Sequence, residues 1–409
     1  MTSSSSAHPN NKKEVRVPDY AWVILAVVFF SSIAAPLNQF KVPPIMPILI
    51  EAFQLDLGSA GLLMSVFAIT GVVLALPSGF ILQRLGIKTT GLIALGCLAF
   101  GAVMGATAHS VGIILISRVI EGVGMGMMTI LAPALITLWF PSKKRGLPMG
   151  IWATWVPVGS LIMLILAPLM AETGGWQVVW WIGAGFSILM FVLYAIFIRA
   201  PEEYQDNSEL SGSKPASVES PGFWKTIAKR DIWLMAFVFG CATFSGLAWS
   251  SFFPTFLVSE RGFSLSNASL IFSISTVMSI FSCLVAGVIS DRIGSRRLVF
   301  TLPFIPLAIL MPLMFQVHGV WIPFLLFLYG LMGGAIPTAI FAAVPEVMKK
   351  PELAGLGLAV ITLGQNLGFV FGPAVFGILI SRLDWTTASL CIIPIMLLGL
   401  VVGWKVEVS

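Results

Sequence analysis

The sequence predicts an all-α polytopic membrane protein with twelve transmembrane helices in two six-helix pseudo-repeats. Three observations predict it: an apolar composition, basic residues gathered on alternate loops, and landmarks that recur at a near-constant spacing. Of 409 residues, 57% are hydrophobic and 10% charged, whereas soluble domains carry about 25% charged residues. The mean hydropathy of +0.97 leaves water little to solvate. One span needs roughly 20 apolar residues to cross about 30 Å of hydrocarbon. The length therefore holds a dozen spans with short loops and excludes a large soluble domain.

Residues 1–20 are polar and read as a disordered N-tail, without the short apolar core and cleavage site of a signal peptide. Apolar runs follow at 21–49, 59–82, 89–108, 111–139, 147–171 and 177–199, then 232–258, 266–289, 298–316, 320–345, 353–381 and 386–404. Pro36, Pro43, Pro44 and Pro47 are expected to kink or break the outer part of the first run. Between the sets, the acidic, Ser-rich residues 201–222 read as a flexible linker, giving an N-terminal bundle over 21–200, a linker over 201–230, a C-terminal bundle over 231–405 and a tail over 406–409.

Of the 23 Lys and Arg, 19 fall on the side of the two termini, among them Lys143, Lys144, Arg145, Lys349 and Lys350. Arg261 and Arg382 lie opposite, and Lys41 and Arg118 lie inside spans. This asymmetry predicts a plasma (inner) membrane protein with both termini cytoplasmic. The formal charge of +5 is thus a topology signal, and no nucleic-acid partner is expected. Cys97, Cys241, Cys283 and Cys391 sit in apolar runs without metal-ligand or disulfide spacing. No Walker loop, catalytic carboxylate pair or His/Cys cluster is present, so neither an enzyme, a cofactor nor a metal is expected.

Gly79, Arg84 and Gly86 recur 208 residues later as Gly287, Arg292 and Gly294, and Trp176 recurs 209 residues later as Trp385. Such duplication places a carrier's substrate site between the repeats, near the bilayer midplane. The loop GVISDRIGSRR (287–297) offers Asp291, Arg292, Arg296 and Arg297 for a breakable ion-pair latch, while the first copy, GFILQRLGIKT (79–89), has Gln83 in place of the acid.

These two loops, with Arg118–Gly124 in the fourth span, GIWATWVPVGS (150–160) in the fifth and NLGFVFGP (366–373) in the eleventh, resemble the motifs of the major facilitator superfamily. The resemblance covers Ala21 to Trp404 and is nearest to cyanate-permease-type, small-anion permeases. It implies alternating access by rocking of two halves, with the first, fourth, seventh and tenth helices lining the cavity. The cytoplasmic gate then comprises Gly79, Gln83, Arg84, Gly86, Gly287, Asp291, Arg292, Gly294, Arg296 and Arg297. Gln83 departs from the family's usual Asp, which shifts the first latch to neutral hydrogen bonds.

Charges inside the membrane carry the substrate reading, because each costs about 2.5–3.5 kcal/mol at mid-membrane. Arg118 and Glu121 are spaced i, i+3 and can neutralise each other. They read either as a helix-holding ion pair or as a proton-coupling pair. Lys41, after Asn38 and Gln39, reads either as a snorkelling lysine or as an anchor for an anion. A lysine here also resembles monocarboxylate transporters, whose eighth-helix Asp/Arg pair is replaced in this chain by hydroxyls. In the second half Lys41 maps near Trp249 and Ser250; Trp155, Tyr329, Thr338, Gln365 and Asn366 complete the candidate substrate-binding residues. Most other tryptophans read as interfacial anchors. The sequence thus points to a monomeric secondary transporter, a symporter of a small, carboxylate-like anion, with protons as the coupling ion. The alternatives are a hydrophobic-compound efflux carrier and a non-transporting membrane sensor.

Overall fold

The computed structural model describes residues 18–75, 77–140, 146–199, 229–348 and 354–408, without the side chains of residues 78–80, 83, 146, 288, 291 and 354–356. Residues 1–17 of the tail, 201–228 of the linker, Lys143, Lys144, Arg145, Lys349, Lys350 and the side chains of Gln83 and Asp291 lie outside the described residues. Twelve described helices are long and apolar enough to cross a bilayer: Asp19–Phe53, Leu57–Leu74, Arg84–Ala106, Val111–Trp139, Leu147–Gly174, Trp176–Phe197, Arg230–Ser259, Leu265–Gly287, Arg296–Met314, Trp321–Met348, Gly357–Arg382 and Trp385–Gly403. An even number of crossings returns Gly403 to the face of Asp19, here the terminal face; the opposite face is distal. The seventh span begins at Arg230, so the last residue of the expected linker is helical. Large apolar side chains such as Ile116, Ile196 and Ile309 point outward, where acyl chains take the place of water.

The first span breaks at its prolines. Its helix ends at Gln39, a short 3-10 turn covers Pro43–Ile45, and helix resumes over Met46–Phe53. Prolines 43 and 44 carry no N–H, so the carbonyls of Gln39 and Phe40 lose the donors that a continuous helix would supply. The duplication reappears in the backbone. Gly86 (φ 72°) and Gly294 (φ 67°), 208 residues apart, both turn the chain through the left-handed region that favours glycine. Asp56 caps the second span by accepting from the Ser59 N–H at 3.0 Å, and Ser264, again 208 residues on, caps the eighth by accepting from the Asn267 N–H. The hydrogen bonds from Ser59 hold the Asp56 carboxyl below its usual range.

Within each half, the third span packs on the fourth and the seventh on the eleventh. Between halves, the second packs on the eleventh and the fifth on the eighth. The Pro43–Ile45 turn lies against the seventh span on the distal side. Two hydrogen bonds among the described residues cross the same seam, from the Ala374 N–H to the Ser65 hydroxyl at 3.1 Å and from the Ser266 hydroxyl to the Glu172 carboxylate at 3.0 Å. Small residues permit these close approaches, since helices in lipid associate through backbone proximity rather than hydrophobic burial. A side chain at Gly364 would collide with the Ala236 carbonyl of the seventh span. Gly364→Leu should therefore lower stability by about 1–3 kcal/mol, read as an earlier thermal unfolding midpoint in detergent; an unchanged midpoint would contradict this packing.

Candidate functional site

The break in the first span determines what surrounds it. Helix Asp19–Gln39 ends inside the protein, where the Phe40 N–H still closes on the Pro36 carbonyl but Pro43 has no N–H to offer Gln39, and its last carbonyls form the negative end of a helix dipole. Arg118 on the fourth span supplies the donors. Its guanidinium donates to the Asn38 carbonyl at 2.6 Å, the Gln39 carbonyl at 3.1 Å and, on the second span, the Leu63 carbonyl at 3.2 Å. It also donates to Glu121 Oε2 at 2.5 Å and lies over the Phe67 ring. Four hydrogen bonds and a ring face leave this side chain little further capacity.

Lys41 completes the cluster. Its ammonium donates to Glu121 Oε1 at 2.6 Å and to Asn38 Oδ1 at 2.9 Å, and it faces the Trp180 ring at 4.5 Å. Asn38 in turn donates to the carbonyl of Ala34 and the hydroxyl of Ser187. Lys41, Arg118 and Glu121 are each 0% exposed. Snorkelling of Lys41 to the headgroups is thereby overturned, because the charge turns inward to a carboxylate rather than outward to water. The same holds for Trp180, which is fully buried against Lys41 instead of anchoring at an interface. The three ionised groups sum to one excess positive charge.

The second half gathers aromatic rings instead. Trp249 on the seventh span is fully buried, with ring centroids 4.2 Å from Tyr329, 5.0 Å from Phe253 and 5.2 Å from Phe272. The remaining candidates lie apart from both clusters or bond within their own helices. Ser250 donates to the Leu247 carbonyl and Thr338 to the Gly334 carbonyl. Trp155 stacks on Trp152, which donates to the Ser32 hydroxyl. The Gln365 carbonyl accepts from Thr243, and the Asn366 side chain faces Gly71 across the second and eleventh spans.

At the terminal face, Arg296 donates to Glu346 Oε1 at 3.1 Å and to the Ser290 hydroxyl at 2.9 Å. Arg297 reaches the Val406 carbonyl, while Arg84 and Arg292 are exposed. Sequence reasoning missed Trp180, Ser187 and the carbonyl of Leu63 around the triad, and Glu346 beside Arg296. Glu346 carried a usable signal, an acid at the terminal end of the tenth span facing a basic loop; the contact of Trp180 with Lys41 carried none.

The description of the Major Facilitator Superfamily matches residues 28–352 and, in a second match, 268–408. A probable sulfoacetate transporter of Cupriavidus necator is 24% identical, over 93% of this chain and 91% of its own length. The cis,cis-muconate transport protein of Acinetobacter baylyi is 24% identical over 91% of each chain. The cyanate transport protein of Escherichia coli is 22% identical over 88% of this chain and 92% of its own. Among solved structures, an inward-facing bacterial homologue of the lysosomal transporter Spinster superposes with a TM-score of 0.78 at 15% identity, over 95% of this chain and 97% of that one.

The charge count orders the cost of neutralising each member of the triad. Glu121→Gln leaves two buried cations without a counter-charge and should cost about 3–5 kcal/mol. Lys41→Gln leaves the Arg118–Glu121 pair balanced and should cost about 1 kcal/mol. Unfolding of the two variants in detergent checks this ranking, and the reverse order would contradict it.

Proposed function

This chain belongs to the Major Facilitator Superfamily, and on that premise we propose that it is a secondary active carrier of a small carboxylate-like anion, driven by proton symport. It is a multi-pass membrane transporter and not an enzyme, as its named relatives are transporters throughout. The observation that carries the anion reading is the buried triad with its one unmatched positive charge. Arg118 is committed to helix carbonyls, so the charge a substrate can claim is that of Lys41. Three relatives are named for anions, namely sulfoacetate, cis,cis-muconate and cyanate.

The geometry supports a coupling scheme. Glu121 holds Arg118 with one carboxylate oxygen and Lys41 with the other. A proton on Glu121 weakens its hold on Lys41 and frees the ammonium for the substrate carboxylate. Loss of that proton restores the ion pair and expels the anion. Proton and anion therefore favour each other's binding, the thermodynamic requirement for symport. The bundles over 21–200 and 231–405 act as the two rocking bodies of a monomer. The basic terminal face lies in the cytoplasm by the positive-inside rule. The distal seam at Ser65–Ala374 and Glu172–Ser266 supports a state closed on the outside. On the terminal face, Arg296 and Glu346 act as a latch between loop and tenth span, joined by the other gate residues.

Purified protein in liposomes, offered sulfoacetate, cis,cis-muconate and cyanate, tests this reading. Lys41→Gln should abolish uptake, and Glu121→Gln should keep anion exchange but lose accumulation driven by a pH gradient. Undiminished uptake by the Lys41 variant would remove the anchor. Accumulation with the gradient in the Glu121 variant would remove the coupling role. Efflux of neutral dyes that survives Lys41→Gln, in a protein that moves no anion, would favour the efflux alternative.

A further inference from the structure

The ninth and twelfth spans pack on each other and leave an apolar groove between them. Ile305, Ile309, Leu313 and Gln316 follow one another along the ninth-span wall at helical spacing, and Leu390 and Leu397 stand on the facing wall. The groove encloses about 470 Å³. From Ile305 to Gln316 the helix climbs about 16 Å, at 1.5 Å per residue. That is the depth of one leaflet, about half of the 30 Å of hydrocarbon. Toward the terminal face the groove closes, where the Phe304 ring lies against the backbone of Gly399. Its length and polarity match one acyl chain of the distal leaflet.

At the distal end a second cavity follows, of about 390 Å³, and Gln316 lines both. Here the chemistry changes. Glu260 and Arg261 at the end of the seventh span, His318 after the ninth and Asp384 before the twelfth surround the space. Arg261 lies over the Phe256 ring at 4.7 Å and donates to the Phe315 carbonyl at 2.8 Å. Its Nε–H is buried without an acceptor among the described residues. Glu260 accepts from the Trp385 indole through Oε1 at 3.0 Å, and Asp384 caps the twelfth span by accepting from the Thr387 N–H at 3.0 Å. The bonds from the Thr387 hydroxyl and N–H hold the Asp384 carboxyl below its usual range, so it is ionised at neutral pH. A carboxylate has about four lone-pair sites, so both acids keep capacity for a further donor. Arg382, two residues before Asp384, is exposed and does not line the cavity. The fixed charges around the space are thus two carboxylates and one guanidinium. A phosphate alone meets an excess of negative charge there, whereas a phosphate that carries its own ammonium finds a partner for each charge.

We propose that groove and cavity are one lipid site, for a phospholipid of the distal leaflet whose head joins a phosphate to a primary ammonium. One acyl chain fills the groove. Arg261 donates to the phosphate, and Glu260 and Asp384 accept from the ammonium. The lipid thereby ties together the distal ends of the seventh, ninth and twelfth spans, away from the charged triad of the first half.

Native mass spectrometry of delipidated protein, titrated with phosphatidylethanolamine, phosphatidylcholine and phosphatidylglycerol of identical chains, tests this. Soluble phosphoethanolamine serves as the head without the chain. Phosphatidylethanolamine should bind about tenfold more tightly than either other lipid, the worth of one hydrogen bond to a charged group. Glu260→Gln should narrow that preference, and Arg261→Gln should weaken all three lipids. Leu397→Trp fills the groove from an exposed position. It should weaken all three while leaving the unfolding midpoint of the lipid-free protein in place. Equal affinities of the three lipids for wild type would overturn the proposal, by making the groove a site for any lipid. Tighter binding of phosphatidylglycerol would overturn the head assignment. Phosphoethanolamine that binds as tightly as the lipid would overturn the role of the groove. Unchanged lipid affinities in Leu397→Trp would put the lipid elsewhere and overturn the site. Should Arg261→Gln fail to fold, Arg261→Lys keeps the charge but not the planar fork of donors, and the same weakening is expected of it.

Discussion

A single guanidinium makes the broken first span tolerable. Prolines 43 and 44 remove the donors that would close the helix at Gln39, and in hydrocarbon an unsatisfied carbonyl costs several kcal/mol. Arg118 reaches across from the fourth span and donates to the carbonyls of Asn38 and Gln39, and to Leu63 on the second. Three helices are joined at one point by this side chain. Its charge needs a counter-ion, which Glu121 provides one turn on. The free end of that carboxylate then holds Lys41. A backbone interruption thus leads stepwise to a buried cluster with one spare positive charge.

The two halves depart from a common plan in what they do with it. The first half has a polar network in which Lys41, Arg118 and Asn38 find partners, while the indole N–H of Trp180 beside it is buried without one. The second has apolar rings and buried donors still unmatched at Trp249 and Ser245. A substrate that bridged the halves would have a binding energy that favours a state in which both approach it. That is how a carrier converts binding into rocking: the ligand shifts the equilibrium by its differential affinity for the two arrangements. Close helix contacts such as Gly364 against Ala236 pack the seventh and eleventh spans of the second half backbone to backbone.

Much of the fold was legible because span length and basic asymmetry are averages over many residues. The expected spans and the observed helices differ at most ends by only a few positions, and the largest difference is in the second span, whose helix stops at Leu74 and resumes at Ser78 near Pro77. The break in the first span was legible for the same local reason, proline chemistry. The i, i+3 pairing of Arg118 with Glu121 followed from helix geometry alone. The fate of Lys41 did not. Snorkelling and inward pairing place the same residue at the same depth, and the choice rests on Glu121 and Trp180, respectively 80 and 139 residues away in sequence. Hydroxyls such as Ser250 and Thr338 turned back on their own helices, a competition between local and tertiary partners that periodicity does not resolve.

The most direct test of this account is whether Lys41 and Glu121 are energetically one unit. Lys41→Gln, Glu121→Gln and the double variant complete a double-mutant cycle in reversible unfolding. The double variant should be more stable than Glu121→Gln alone, because removing the unmatched ammonium relieves the cost that loss of the carboxylate created. Strictly additive effects would show that the two side chains do not share a charge, and the chain of dependence running from the broken helix to the substrate site would fail at that link.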